Sequence, residues 1–492
     1  MTGLLDLLSQ SSCSAVAFDA QRARNDERIL SGWRAKFAFV PKRTNAVQGK
    51  GTPIKAHIIF GLCWLHIHRS LATTNGDCPS SIAQHRRQFP TDRLSSPNPT
   101  RRETNVKASL FYLPTIASRA EIEAGMAGMN GDFYQRMLRE LSEQIRLADD
   151  LGYDSVSFTE HHFHIEGFEL SNNPVLLDLY FAMQTKRIRV GQLGIVLPAA
   201  NPIRVAEDIA MLDHMTNGRA NAGFARGYQR RWVDVMAQQT HDIHGALPHQ
   251  HDEIDAANRA AFEENFQIIK KCWTEEMLTF DGKYWKVPAG ATPWTLDTTA
   301  KYGKGVENGI LKSVGVVPKP LQKPHPPLFL PFASSENSIR WAARENVTAI
   351  LPPMLPVYEN RLYDVYAEVS GRPRGAGCGL LRDVIIADTD EEAQALWRDS
   401  GQFSGRAWFE PFGFRRGLQD PQTGAFMTSE EAVRGGYSLA GTVDTVIRGL
   451  EANMRRQNVD WLFCYTYNAL IPHAKLMQSI ETFWTKVMPR FA

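Results

Sequence analysis

The chain has 492 residues, of which 43% are hydrophobic, and a formal net charge of only +2. That length allows two or three average domains or one large (β/α)₈ barrel, and the apolar fraction is enough for a large buried core. The charge is uneven: residues 1–106 carry 15 Lys/Arg against 7 Asp/Glu, whereas 107–492 carry 40 against 46. A mildly acidic body excludes nucleic acid as the main partner, because phosphate contacts need concentrated basic charge.

Residues 1–106 show no sustained period of 3.6 or 2, and Leu94–Thr104 has the composition of a linker. They are expected to be a disordered N-terminal extension, or a stretch read from a start placed too far upstream. Asp19, Asp26 and Glu27 argue against a targeting arm, and Asp6 with the polar Ser9–Ser14 run argues against a signal peptide. The apolar patch Ile58–Ile67 is about half as long as a membrane helix requires. Six cysteines without a Cys-x-x-Cys pair fit reduced thiols. The expectation is a cytoplasmic protein with no membrane partner.

From residue 107 the texture changes. Ala108–Leu113 is a short apolar run closed by Pro114, the form of a buried strand. Phe133, Met137, Leu141, Ile145 and Ala148 then recur at helical spacing up to Gly152. Further strands are expected at 154–159, 188–197, 219–225, 328–332, 348–351, 380–387 and 460–466. Helices are expected at 173–185, 202–215, 259–274, 336–345, 357–370, 390–400 and 473–487. These are eight strand-then-helix units whose strands are continuously apolar, as in a parallel sheet covered by helices. A doubly wound sheet gives a similar alternation, but eight units with long excursions favour an α/β fold of the (β/α)₈ TIM-barrel type with loop insertions over 107–492. One such insertion, Phe403–Gly436, is rich in Gly, Phe and Arg and is expected to be a long unstructured loop acting as a lid.

Barrel chemistry sits at the C-terminal ends of the strands. The second strand runs into Glu160-His161-His162-Phe163-His164. A metal site, a packed histidine and a general base are the three readings, and adjacent histidines pointing opposite ways disfavour the metal. The fourth strand ends at Arg226-Gly227-Tyr228, where an arginine fork and a glycine suit a phosphate or carboxylate. Between the fifth strand and its helix lies Ala333-Ser334-Ser335-Glu336-Asn337-Ser338, which is either a plain helix cap or an anion site of backbone N–H and hydroxyl groups.

With these motifs in order, the chain resembles the bacterial-luciferase-like, flavin-dependent monooxygenases. The resemblance rests on Glu160-His161-His162-Phe163, Asn173-Pro174, Val196-Leu197-Pro198 and Asn201-Pro202-Ile203-Arg204-Val205-Ala206-Glu207-Asp208. It extends through Leu212-Asp213, Gly218-Arg219, Gly223 with Arg226-Gly227-Tyr228, Pro318-Lys319-Pro320-Leu321-Gln322, Pro324-His325-Pro326-Pro327, Trp341-Ala342-Ala343 and Gly441-Thr442. It covers about 107–492 and none of 1–106.

The resemblance implies non-covalent reduced FMN at the barrel mouth, O₂ as co-substrate, and oxygenation of a small organic substrate through a flavin hydroperoxide. It also implies a separate flavin reductase, and a homodimer is the usual assembly. His161 matches the family's catalytic histidine and Arg226 an arginine on the flavin phosphate, with Gly227 and Tyr228 beside it. Ser334, Ser335 and Ser338 fall in the phosphate turn, and no metal is implied. Leu193-Gly194 takes the place of a small-residue pair under the flavin ring, often joined by a cis peptide bond, which the bulk of leucine argues against here. Ala225 stands where luciferase has a reactive cysteine, Tyr228 where it has leucine and Ser334 where it has an acidic residue, so light emission is not the expected role. Two alternatives stay open: a deazaflavin-dependent oxidoreductase on the same barrel, and a non-catalytic flavin-binding subunit.

Overall fold

The computed structural model describes residues 105–239 and 243–491. The expected extension 1–106 lies outside the described residues, except for its last two positions. Eight strands form the barrel: β1 Lys107–Tyr112, β2 Ser155–Phe158, β3 Arg189–Gln192, β4 Ala220–Ala225, β5 Leu328–Leu330, β6 Thr348–Leu351, β7 Cys378–Ile386 and β8 Trp461–Thr466. Each pairs in parallel with the next, and Lys107 opposite Trp461 joins β1 to β8. The sequence expectation of eight strands, each followed by a helix, matches this architecture strand for strand.

Strands such as β5, Leu-Phe-Leu, read as apolar runs because both of their faces are covered, whereas β2, Ser-Val-Ser-Phe, and β3, Arg-Val-Gly-Gln, mix polar residues into the same buried position. All residues of β2 and β8 are buried, the inward side chains filling the barrel and the outward ones meeting helices. The helix Gly131–Leu151 shows the complementary logic. Its stripe of Met137, Leu141, Ile145 and Ala148 is buried on the sheet, Asn130 caps its start, and Gly152 ends it at φ 101°, where a side chain would be strained.

Several family motifs turn out to hold the scaffold. In Asn173-Pro174 and Asn201-Pro202 the asparagine caps a helix whose first residue is the proline, satisfying otherwise orphaned N–H groups. Asp213 accepts from the backbone N–H and the side-chain amide of Gln322 at 2.8 and 2.7 Å, tying the third helix to the segment that leads into β5. Arg219 donates to the carbonyls of Ile188 and Ala182 at 2.8 and 2.9 Å, fixing the turn that leads from the helix Pro174–Ala182 into β3.

A ninth parallel strand, Ser438–Gly441, adds to the outer half of β7, with Asp383 opposite Ser438. The stretch expected to be an unstructured loop, Phe403–Gly436, is instead made of helical turns, including Gly405–Phe409, Phe414–Leu418 and Ser429–Arg434. Its aromatic residues tie it to the barrel: Phe414 packs edge-on against Phe409, at 6.0 Å between ring centres, and against Phe332 at the end of β5, at 5.7 Å.

Candidate active site

One cavity, with about 1040 Å³ of empty space, opens at the C-terminal ends of β1 to β5. All nine residues singled out from the sequence line it: His161, Leu193, Gly194, Arg226, Gly227, Tyr228, Ser334, Ser335 and Ser338. Its two ends differ in chemistry.

One end is cationic. Arg226 leaves β4 and donates to Asp255 Oδ1 at 2.6 Å, and its backbone carbonyl accepts from Asn258 at 2.9 Å. Asp255, Asn258 and Arg259 belong to the helix Glu253–Thr274, so one helix face holds the first arginine and delivers a second. Arg259 also lines the cavity. Burial and the neighbouring Arg226 charge lower its pKa. Across from them, Ser335 caps the helix Glu336–Arg344, and its hydroxyl donates to Ser338 Oγ at 3.0 Å. Backbone N–H groups at that helix start and two guanidinium groups thus face one volume.

The middle of the cavity is shaped by missing side chains. The Leu193–Gly194 bond, which the bulk of leucine put in doubt as a cis bond, is cis. The leucine fits because Gly223 across the strand has no side chain; a Cβ there would stand 2.9 Å from Leu193 Cδ2. A Cβ on Gly194 would meet Phe224 N at 2.6 Å, and one on Gly227, at φ +76°, would meet Val196 Cγ1 at 2.5 Å. The backbone there is packed too closely for any larger residue.

The other end is a buried polar cluster. His161 follows β2, its Nδ1 lies 3.0 Å from Thr159 Oγ1, and its Nε2 lies 3.6 Å from Glu169 Oε2. Glu169 also accepts from Trp408 Nε1 at 2.8 Å and Gln229 Nε2 at 3.1 Å, while its Oε1 is buried without a hydrogen-bond partner among the described residues. Gln229 further donates to the Tyr228 hydroxyl at 2.9 Å and pairs with His164 Nε2 at 2.8 Å. Burial dominates the electrostatics. It pushes Glu169 up to about 8 and, with the nearby His164 and His162, holds His161 well below 6.5. At neutral pH the pair is therefore a neutral imidazole facing a protonated acid.

Glu160 is turned away from His161. Its Oε1 pairs with His162 Nε2 at 3.1 Å and its Oε2 accepts from Val196 N at 2.6 Å, so it does not orient His161. His162 packs on Trp232, at 4.8 Å between ring centres, outside the cavity lining. The residues after β2 leave the extended conformation, Phe163 having φ 65°, and this lets His161 and His164 turn to the same side with rings 5.4 Å apart. Among the described residues no group of three or more His, Cys, Asp or Glu is arranged to hold a metal, and no helix is long and apolar enough to cross a membrane.

Glu169, Arg259 and Trp408 escaped the sequence reading. The polar face Asp255-Asn258-Arg259, on a helix expected to bury apolar residues, was the available signal for the second of these.

Known proteins show the same architecture. The alkanal monooxygenase alpha chain of Photorhabdus laumondii is 26% identical over 235 residues, 48% of this chain and 54% of its own length. The oxygenase component of the flavin-dependent trigonelline monooxygenase of Acinetobacter baylyi is 25% identical over 287 residues, covering 56% of this chain and 67% of its own. Among solved structures, the oxygenating constituent of 3,6-diketocamphane monooxygenase from Pseudomonas putida, a type II Baeyer-Villiger monooxygenase in complex with FMN, superposes with a TM-score of 0.60. That match covers 78% of this chain and 98% of the other, at 22% identity, a likeness of fold. The family model for luciferase-like monooxygenases matches residues 117–460, and the chain belongs to that family.

Proposed function

We propose that this chain is the oxygenating component of a two-component flavin monooxygenase, taking reduced FMN from a separate reductase and using O₂ to oxygenate a small organic substrate. The observation that carries this reading is the polarity of one cavity: two arginines and a helix start at one end, a backbone cradle without side chains in the middle, and a buried His–Glu pair at the other. The donor set suits a phosphate, and the bare, close-packed backbone of Gly194 and Gly227, which lines the cavity between its two ends, suits a flat ring laid against it. The named function of the trigonelline relative as an oxygenase component supports a separate reductase.

In this reading Arg226, Arg259 and the Ser334–Ser338 turn bind the phosphate. Leu193, Gly194 and Tyr228 set the plane of the ring. Bound reduced FMN would supply the electrons that activate O₂. His161 moves a proton at Nε2, Thr159 Oγ1 at 3.0 Å from Nδ1 positions the ring, and Glu169, protonated near neutrality with Oε2 3.6 Å from Nε2, replenishes the proton. Phe332, Phe409 and Phe414 close the cavity against water.

A comparison of FMN with riboflavin tests the assignment. Riboflavin lacks the phosphate, so it should bind at least about tenfold more weakly than FMN. Equal affinities would remove the phosphate site.

A further inference from the structure

The barrel mouth has a second half. Over the ends of β6, β7 and β8 lies another cavity of about 1060 Å³ of empty space, roofed by the insertion that follows the helix Asp390–Trp397. It shares Phe332, Phe409 and Phe414 with the first cavity, so three side chains in edge-to-face contact form the partition. We propose, on the basis of the flavin reading above, that this second chamber holds the organic substrate, and that the substrate is a flat, largely apolar molecule carrying a carboxylate.

The chemistry of the walls sets that class. Tyr467 and Trp397 line the chamber, but their polar atoms are already used: the hydroxyl donates to Asp383 Oδ1 at 2.5 Å and the indole N–H to Asp383 Oδ2 at 2.6 Å. Both carboxylate oxygens of Asp383 are thereby occupied, so this part of the floor presents ring faces and no free donor. Ring faces select a flat apolar body.

Charge complementarity comes from the rim. Arg415 is paired with Glu410 and lies over the Phe426 ring, and the buried Arg382 is paired with Glu359. Arg406 at the rim has no hydrogen bond or ion pair among the described residues. One uncompensated guanidinium at the mouth of an aromatic chamber suits a carboxylate at the outer end of the ligand. A molecule seated that way points its inner end at the phenylalanine partition, toward the place where the flavin ring would lie.

The test uses the full chain with saturating FMN and 2-naphthoate as the probe, measured by titration calorimetry, with FMN affinity determined for each variant. Naphthoate should bind while FMN is present. Ala432→Trp, which fills the chamber from the helix Ser429–Arg434, should weaken naphthoate by more than about tenfold and leave FMN within about twofold. Met427→Trp fills the same chamber from the segment before that helix and should act alike, covering the case in which the first variant does not fold. Arg406→Ala should cost the acid about tenfold but 2-naphthylmethanol less than about twofold. Competition between naphthoate and FMN, indifference to both tryptophan variants, or no binding at millimolar concentration would overturn the assignment of the chamber. Equal losses for acid and alcohol would overturn the carboxylate. Loss of FMN binding by the unmodified chain would instead strike the flavin reading, while naphthoate binding is still measured on its own.

Discussion

Replacing Glu169 with glutamine isolates the electrostatics of the buried cluster. Glutamine copies the shape of a protonated carboxyl, and its carbonyl oxygen can take the donors from Trp408 and Gln229 that now reach Oε2. Burial pushes Glu169 from 4.5 up to about 8, so between those values the folded chain keeps a proton that the unfolded chain has lost. Stability carried by that proton is fully present below pH 4.5 and is lost as pH rises to about 8, at about 1.4 kcal/mol per unit. The loss over the whole window is about 5 kcal/mol, and about 4 kcal/mol of it falls between pH 5 and pH 8. Glutamine has no proton to lose. The midpoint of Glu169→Gln relative to the unmodified chain should therefore rise with pH. For a barrel of roughly 390 residues, 1 kcal/mol shifts the midpoint by about 1.2 °C, so the difference should grow by about 5 °C between pH 5 and pH 8. Differential scanning calorimetry of both proteins at half-unit steps measures it. A difference that stays constant across the window would show that Glu169 is ionised in the folded chain, and the picture of a protonated acid beside a neutral imidazole would fall.

Three further outcomes follow from the site. Arg226→Ala should weaken FMN about ten- to a hundredfold while affecting riboflavin much less, because Arg259 remains to hold part of the phosphate charge; fluorescence titration of both ligands checks it. His161→Ala should lower turnover by at least about a hundredfold at unchanged FMN affinity, with imidazole restoring part of it. His162→Ala, which removes a contact to Trp232 and Glu160, should cost less, and the reverse ranking in steady-state assays would mean the catalytic histidine is misassigned. Gly194→Ala forces a Cβ to within 2.6 Å of backbone, so it should destabilise the barrel by about 1–3 kcal/mol and abolish flavin binding, which thermal melts and titration detect together.

The barrel was legible in the sequence because parallel strands buried on both faces are rich in apolar residues, as Leu328–Leu330 and Trp461–Thr466 are. The strand-end residues of the first cavity were legible because they are short, local features: Arg226 directly follows β4, and Ser334 to Ser338 span the start of a helix. What escaped depends on distant partners. Glu169 is buried through Gln229, 60 positions on, and Trp408, 239 positions on, and no local pattern encodes either contact. The same holds for the depressed pKa of His161, which arises from burial under those elements. The insertion Phe403–Gly436 looked like loop because its glycines break any helical period, yet its phenylalanines pack against each other and against Phe332.

The account rests on a reduced flavin reacting with oxygen in a cavity that excludes water. The direct measurement mixes the protein anaerobically with reduced FMN, admits oxygen, and follows absorbance by stopped flow. The account predicts a transient species distinct from both reduced and oxidised FMN, shortened in lifetime by Phe414→Ala, which opens the partition to water. Reoxidation straight to FMN at the rate of the free flavin, unaffected by the protein, would contradict it.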